Sequence, residues 1–163
     1  MCGISGFFSK GNSQYKNNIK KCLNIMKNRG PDSNDFFYKK ENYLEIGLLH
    51  SRLNIIDMNE RSNQPFYHDG YVLIFNGEIY NYLELKKKLS LKYSFKTNSD
   101  TEVLLCSYLE YGENCVDHFI GMWSFVIFDP RKKIFFISRD IFGEKPLYYV
   151  KTNKYFLFGS EIK

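Results

Sequence analysis

Cysteine, histidine, proline and tryptophan are scarce in this chain: four, three, four and one among 163 residues. Cys2, Cys22, Cys106 and Cys115 form no C-x-x-C pair and share no histidine spacing that suggests zinc, so no metal site is expected. Cys22 and Cys106 fall on expected helices among apolar neighbours, which reads as core packing. No apolar run approaches the ~18–20 residues of a membrane span. The start lacks a charged segment leading into an apolar one, so neither a membrane nor a secretory route is expected. A reducing, cytoplasmic compartment fits. Dense charge is missing too. The net charge of +5 comes from scattered lysines. The runs Lys86-Lys87-Lys88 and Arg131-Lys132-Lys133 are short and read as solvated surface, so no nucleic-acid partner is expected. Repeats, low-complexity tracts and linkers are absent, and residues 1–163 read as a single domain.

Aromatics, by contrast, make up 18% of the chain, mostly Phe and Tyr, and favour strands. Residues 2–8 read as a short apolar strand, 9–16 as a loop, and 17–28 as a helix with Ile19, Cys22, Leu23 and Met26 on one stripe. Arg29-Gly30-Pro31-Asp32-Ser33 stops that helix by turn chemistry. Residues 35–49 read as a hairpin turning at 39–42. Residues 71–75 are the most strand-like run and break at Asn76-Gly77-Glu78. Tyr82, Leu85 and Leu89 have helical spacing. Ser99-Asp100-Thr101-Glu102 is a capping-box pattern opening a helix to about Tyr111. Strands over 122–129 and 133–140 join at a hairpin, and two more follow near 147–150 and 155–159. Antiparallel strands with three helices between them make an α+β fold.

The chemistry centres on Met1-Cys2-Gly3-Ile4-Ser5-Gly6. Removal of Met1 would put a thiol and a free α-amine on one residue. Their ordinary pKa values, about 8.5 and about 7.7–8.0, let the amine take the thiol's proton near neutral pH. The other reading of Cys2 is a small residue in an ordinary leader. Asn76 and Gly77 could offer a side-chain and a backbone N–H to an oxyanion, or form the turn that N-G dipeptides favour. Asp100 at a capped helix start is expected to stay ionised and could hold an ammonium, though helix starts favour Asp in any case. Arg52 could fork onto a carboxylate or sit on the surface. His50 reads as an oriented structural residue rather than a base. Taken together, these groups describe attack on the side-chain carbonyl of an amino-acid amide.

C-G-I-S-G at the start resembles the opening of class II glutamine amidotransferase domains, which are N-terminal-nucleophile hydrolases. R-G-P-D-S at 29–33, H-S-R-L-N-I-I-D at 50–57, F-N-G-E-I-Y-N at 75–81, S-D-T-E at 99–102 and R-D-I-F-G-E-K-P-L-Y-Y at 139–149 are similar, in order, to the glutaminase half of glutamine-hydrolysing asparagine synthetase. The closing F-G-S-E-I-K is similar to that domain's end. Asn28 departs from the His often found there.

The resemblance implies a four-layer αββα sandwich of two antiparallel sheets flanked by helices. Cys2 would be the nucleophile and its α-amine the base, with Asn76 and Gly77 as the oxyanion hole. Arg52 would bind the glutamine α-carboxylate, and Asp100 with Glu78 the α-ammonium. Leu53, Asn54, Ile55 and Ile56 would line the pocket. L-glutamine would be cut through a γ-glutamyl thioester with no cofactor. ATP and magnesium are implied only for a synthetase domain, present in a longer chain or as a separate subunit; no S-G-G-x-D-S phosphate loop occurs here. An excised domain or a truncated or split gene is therefore expected. A homodimer stays open. So do two other functions: the glutaminase of an amidotransferase acting on a sugar or phosphoribosyl acceptor, and a non-catalytic glutamine-binding remnant.

Overall fold

The strand that carries the N-terminal cysteine lies in the middle of a sheet. In the computed structural model, which describes residues 1–11 and 15–162, β1 (Gly3–Lys10) pairs with both β3 (Leu44–Arg52) and β9 (Tyr155–Gly159). With β2 (Ser33–Glu41) and β8 (Tyr148–Lys151) they form an antiparallel sheet ordered β2-β3-β1-β9-β8. A second antiparallel sheet runs β4 (Phe66–His68), β5 (Tyr71–Ile79), β6 (Gly121–Asp129), β7 (Ile134–Arg139).

Alternation along the strands builds the layers. Ile4, Leu48, Ile74, Val126 and Phe158 meet between the sheets. Phe7 and Leu49 point the other way, onto Ile19 and Met26 of α1 (Tyr15–Met26). Leu73, Phe125 and Ile127 pack outward on Leu85 of α2 (Tyr82–Leu89) and Leu104 of α3 (Asp100–Tyr111). The order is helix, sheet, sheet, helices: the four-layer αββα sandwich. Every residue of α3 from Asp100 to Tyr108 is buried, so that helix is held by packing on all sides rather than by one stripe.

Three local expectations need correction. Ser9 and Lys10 continue β1 instead of starting a loop, and Tyr15 already belongs to α1; residues 12–14 of that expected loop lie outside the described residues. Asn76-Gly77 is not a turn. β5 continues to Ile79, with Asn76 opposite Ser124 and Gly77 opposite Trp123, because β6 pairs along the whole run. A Cβ at Gly77 would stand 2.2 Å from the Met122 carbonyl oxygen, so glycine is there for close strand approach. The capping box closes only halfway. Ser99 Oγ accepts from the Thr101 N–H at 3.2 Å, but Glu102 turns to Thr97, whose N–H and hydroxyl both donate to it at 2.7 Å. Cys106 and Cys115 are buried, whereas Cys22 is half-buried.

Register sets the working end. Gly3 lies opposite Ser51, Ser5 opposite Gly159, and Ile79 opposite Gly121. Where β1 begins, β3 and β9 therefore end, and β5 ends where β6 begins.

Candidate active site

Cys2 immediately precedes β1, and its sulfur lies against the backbone of Leu53, just past β3. The Leu53 N–H donates to Sγ at 3.3 Å, and the thiol faces the Leu53 carbonyl at 3.6 Å. Burial pushes the Cys2 thiol above its ordinary value; the Leu53 bond, the N-terminal charge and Arg52 work against burial, and Asp100 adds to it. A thiol in that state needs a base beside it to become a nucleophile. The Cys2 carbonyl accepts from Arg29 Nε at 3.0 Å, and Arg29 Nη1 pairs with Glu161 at 3.1 Å. The turn after α1 and the tail after β9 thus clamp the N-terminal strand together. Gly30 allows this approach, since a Cβ there would stand 2.3 Å from the Ser51 carbonyl oxygen.

Cys2 lines a cleft at this end of the sandwich. Arg52, Leu53, Ile55 and Ile56 form one wall; Gly77, Glu78 and Asp100 form the other. Asn54 is not among the lining residues, and its N–H donates to Asp32 at 2.8 Å. Asn76 lies between Phe75 and Gly77, both of which line the cleft, and is 1% exposed. Its Nδ2 has no acceptor among the described residues. A buried donor left unmatched costs about 1–3 kcal/mol, and such a donor suits an oxygen that gains charge during reaction.

Two buried side chains hold the backbone just ahead of Asn76. His50 Nε2 donates to the Phe75 carbonyl at 3.1 Å, linking β3 to β5 across the sandwich. Burial lowers its pKa to about 3. The ring is therefore neutral and serves as a strut. The Phe75 N–H donates to Gln64 Oε1 at 2.6 Å, and Gln64 Nε2 donates to Thr101 Oγ1 at 3.4 Å.

Arg52 has more partners than its sequence context suggests. Nη1 donates to the Asn59 carbonyl at 3.2 Å and to Asn63 Oδ1 at 2.6 Å; Nη2 donates to the carbonyls of Ile56, at 3.4 Å, and Asp57. Its outer nitrogens thus shape the loop after β3, and a carboxylate in the cleft would meet the guanidinium at its inner edge or compete with loop carbonyls. Asp57 ties the same loop to the start of α3, accepting from the Asn98 N–H at 2.7 Å. Burial would raise the Asp57 carboxyl, but the bonds from Asn98 and Asn59 outweigh it and hold the group well below the usual range.

Asp100 Oδ2 accepts from the Ile79 N–H at 3.1 Å and Oδ1 from the Ser99 hydroxyl at 3.4 Å. Burial raises its pKa to about 6; the bonds from Ile79, Thr101 and Ser99 oppose that, and Glu78 adds to it. Desolvation therefore outweighs the helix dipole expected to keep it firmly ionised.

Arg29, Gln64 and Asp57 escaped sequence reasoning as parts of the site. The motif segments R-G-P-D and N-I-I-D contain two of them, and a charged residue inside an otherwise apolar or turn-forming motif was the available signal. No three of the described His, Cys, Asp and Glu residues are grouped so as to hold a metal ion, and no described helix is long and apolar enough to cross a membrane.

Residues 1–163 match the family described as glutamine amidotransferase domain. A Methanocaldococcus jannaschii protein named for glutamine-hydrolyzing asparagine synthetase 2 is 43% identical over 180 residues, with 100% of this chain and 34% of its own length covered. Glutamine-hydrolyzing asparagine synthetase 3 of Bacillus subtilis is 40% identical over 170 residues, covering 100% of this chain and 27% of itself. The chain thus spans about a third or less of these relatives. Among solved structures, glutamine phosphoribosylpyrophosphate amidotransferase of B. subtilis superposes with a TM-score of 0.76 at 18% identity, over 98% of this chain and 42% of that one. That is a likeness of fold.

Proposed function

We infer the chemistry from a plain premise: the chain belongs to the glutamine amidotransferase domain family. We propose that, with Met1 removed, it hydrolyses L-glutamine to glutamate and ammonia through Cys2. The observation that supports this most is the Cys2 sulfur in a cleft shared with Arg52, Gly77, Glu78 and Asp100, next to the unmatched amide of Asn76.

In this reading the α-amine takes the Sγ proton as sulfur bonds to the side-chain carbonyl carbon of glutamine. The oxygen, now negative, is received by Asn76 Nδ2 and the Gly77 N–H. The amine returns the proton to nitrogen as the C–N bond breaks, so ammonia leaves and a γ-glutamyl thioester remains. Water, deprotonated by the same amine, attacks the thioester; the C–S bond breaks, the amine returns that proton to sulfur, and glutamate departs. Asp100 and Glu78 face the substrate ammonium, and Arg52 its carboxylate. The amine supplies the base that the buried thiol lacks.

The ammonia would serve ATP-dependent asparagine synthesis by a separate domain or subunit, where ATP and magnesium would act. The two relatives above, both named for asparagine synthetase, support that acceptor over a sugar or phosphoribosyl group. The test is ammonia release from glutamine by protein whose N-terminus has been defined by intact mass. Release that requires Met1 removal and disappears in Cys2→Ala is expected. Equal rates for wild type and Cys2→Ala would instead mark a binding remnant.

A further inference from the structure

Lys145 is a buried ammonium that the mechanism above does not use. It is 6% exposed, and among the described residues it has no ion-pair partner. Its described side-chain bond runs from Nζ to the sulfur of Met1 at 3.3 Å. A thioether is a weak acceptor, and burying a charge without a counter-charge is costly. Yet the surrounding turn is built to hold this residue. Asp140 Oδ2 accepts from the Lys145 and Trp123 N–H groups at 3.1 and 3.2 Å, and Oδ1 from the Glu144 N–H at 2.9 Å. The Gly143 N–H donates to the Asp140 carbonyl at 3.0 Å.

We propose that Lys145 is a positioning residue for the glutaminase reaction: its ammonium, held at the side chain of residue 1, keeps the Cys2 α-amine unprotonated, ready to act as base. The proposal rests on the glutaminase reading. The Met1 sulfur is five covalent bonds from the Cys2 nitrogen, so Nζ lies within about one Debye length, ~10 Å, of that nitrogen. Removing Met1 takes away the thioether, the one described partner of Nζ, and leaves an unpaired ammonium within that same ~10 Å of the new terminus. A neighbouring like charge disfavours the protonated amine and lowers its pKa. The proton from Sγ then has a vacant acceptor, from which it passes to the departing nitrogen.

Other charges surround this corner. Arg52 acts in the same direction as Lys145, and Asp100 against it. Arg29 is matched by Glu161 at 3.1 Å. The Asp140 carboxylate is enclosed by the backbone N–H groups just named, and burial is outweighed by those bonds so that it stays below the usual range. Glu144 is exposed, and Arg139 lies over Gly143, where an added Cβ would stand 3.2 Å from its Cζ. Lys145 is the buried cation of this set whose side chain reaches residue 1.

The test is the pH profile of kcat at saturating glutamine, where a bound ammonium keeps Asp100 ionised. Wild type, Lys145→Met and Lys145→Arg are compared as Met1-free protein, with circular dichroism as the check on folding. The acid limb of Lys145→Met should move up by about half to one and a half pH units, and Lys145→Arg should keep the wild-type limb. A folded, active Lys145→Met whose limb coincides with wild type overturns the proposal while leaving the glutaminase reading intact. Absence of Cys2-dependent ammonia release in wild type overturns both. If Lys145→Met does not fold, competitive labelling of the wild-type α-amine decides: a pKa below about 7.7 supports the proposal, and one at or above about 7.7 contradicts it.

Discussion

Arg29 Nε donates to the carbonyl of Cys2 at 3.0 Å, so the residue proposed as nucleophile is pinned through its backbone by a side chain from the turn after α1. The same guanidinium reaches Glu161 beyond β9 at 3.1 Å. The turn after α1 and the tail after β9 are thereby joined at the residue just ahead of β1. A charge-assisted bond of this kind contributes roughly 1.5–3 kcal/mol. Arg29→Met should therefore lower kcat about 10- to 100-fold and lower the melting temperature. Steady-state kinetics with a thermal melt check this, and a wild-type kcat would show that the clamp does not position the sulfur.

Asn76 carries a sharper prediction. Its Nδ2 has no acceptor in the resting protein, so removing it breaks no described bond at that atom. Asn76→Ala should leave glutamine KM near wild type while kcat falls roughly 10²–10³-fold, the range for a lost oxyanion donor. A near-normal kcat rejects the assignment.

Arg52 should fail in two ways at once. Its outer nitrogens bond to the loop at Ile56, Asp57, Asn59 and Asn63, and lysine cannot reproduce a planar fork. Arg52→Lys is expected to raise glutamine KM about 10- to 100-fold, from the same 1.5–3 kcal/mol scale, and to speed protease cutting within residues 53–63. A raised KM with unchanged cutting would separate substrate binding from loop support.

The pH dependence of glutamine capture follows from Asp100. Burial raises its pKa to about 6. Below that pH the carboxyl is neutral in the free protein and no longer attracts an ammonium; above it the charge is present. The profile of kcat/KM, which reports the free enzyme, should fall as pH drops through about 6, and Asp100→Asn should abolish that limb along with most binding. An Asp100→Asn protein that keeps the same limb assigns it elsewhere.

The strands and the α+β class were legible because their signals, apolar alternation and turn dipeptides, are local; the αββα layering came only through the resemblance carried by short motifs that recur in order. What stayed hidden depends on distant partners. Asn76-Gly77 looks like a turn by composition, and only pairing with Trp123 and Ser124 turns it into a strand. The bonds from Arg29 to Cys2, from Gln64 to Phe75 and from Lys145 to Met1 each join residues from separate segments. Burial also reverses a local argument at Asp100, where a helix start suggests a firmly ionised carboxylate and the enclosed cleft raises its pKa. Arg52 lines the cleft with Cys2, and its commitment to loop carbonyls depends on where residues 56–63 fold.

The most direct measurement of the central claim is acid-quenched intact mass during glutamine turnover, with peptide mapping of the N-terminus and ammonia counted in the same samples. A glutamyl adduct on Cys2, only on chains that have lost Met1, and ammonia release that vanishes in Cys2→Ala, is the predicted result. Undiminished release from Cys2→Ala, or from chains that all retain Met1, would contradict it.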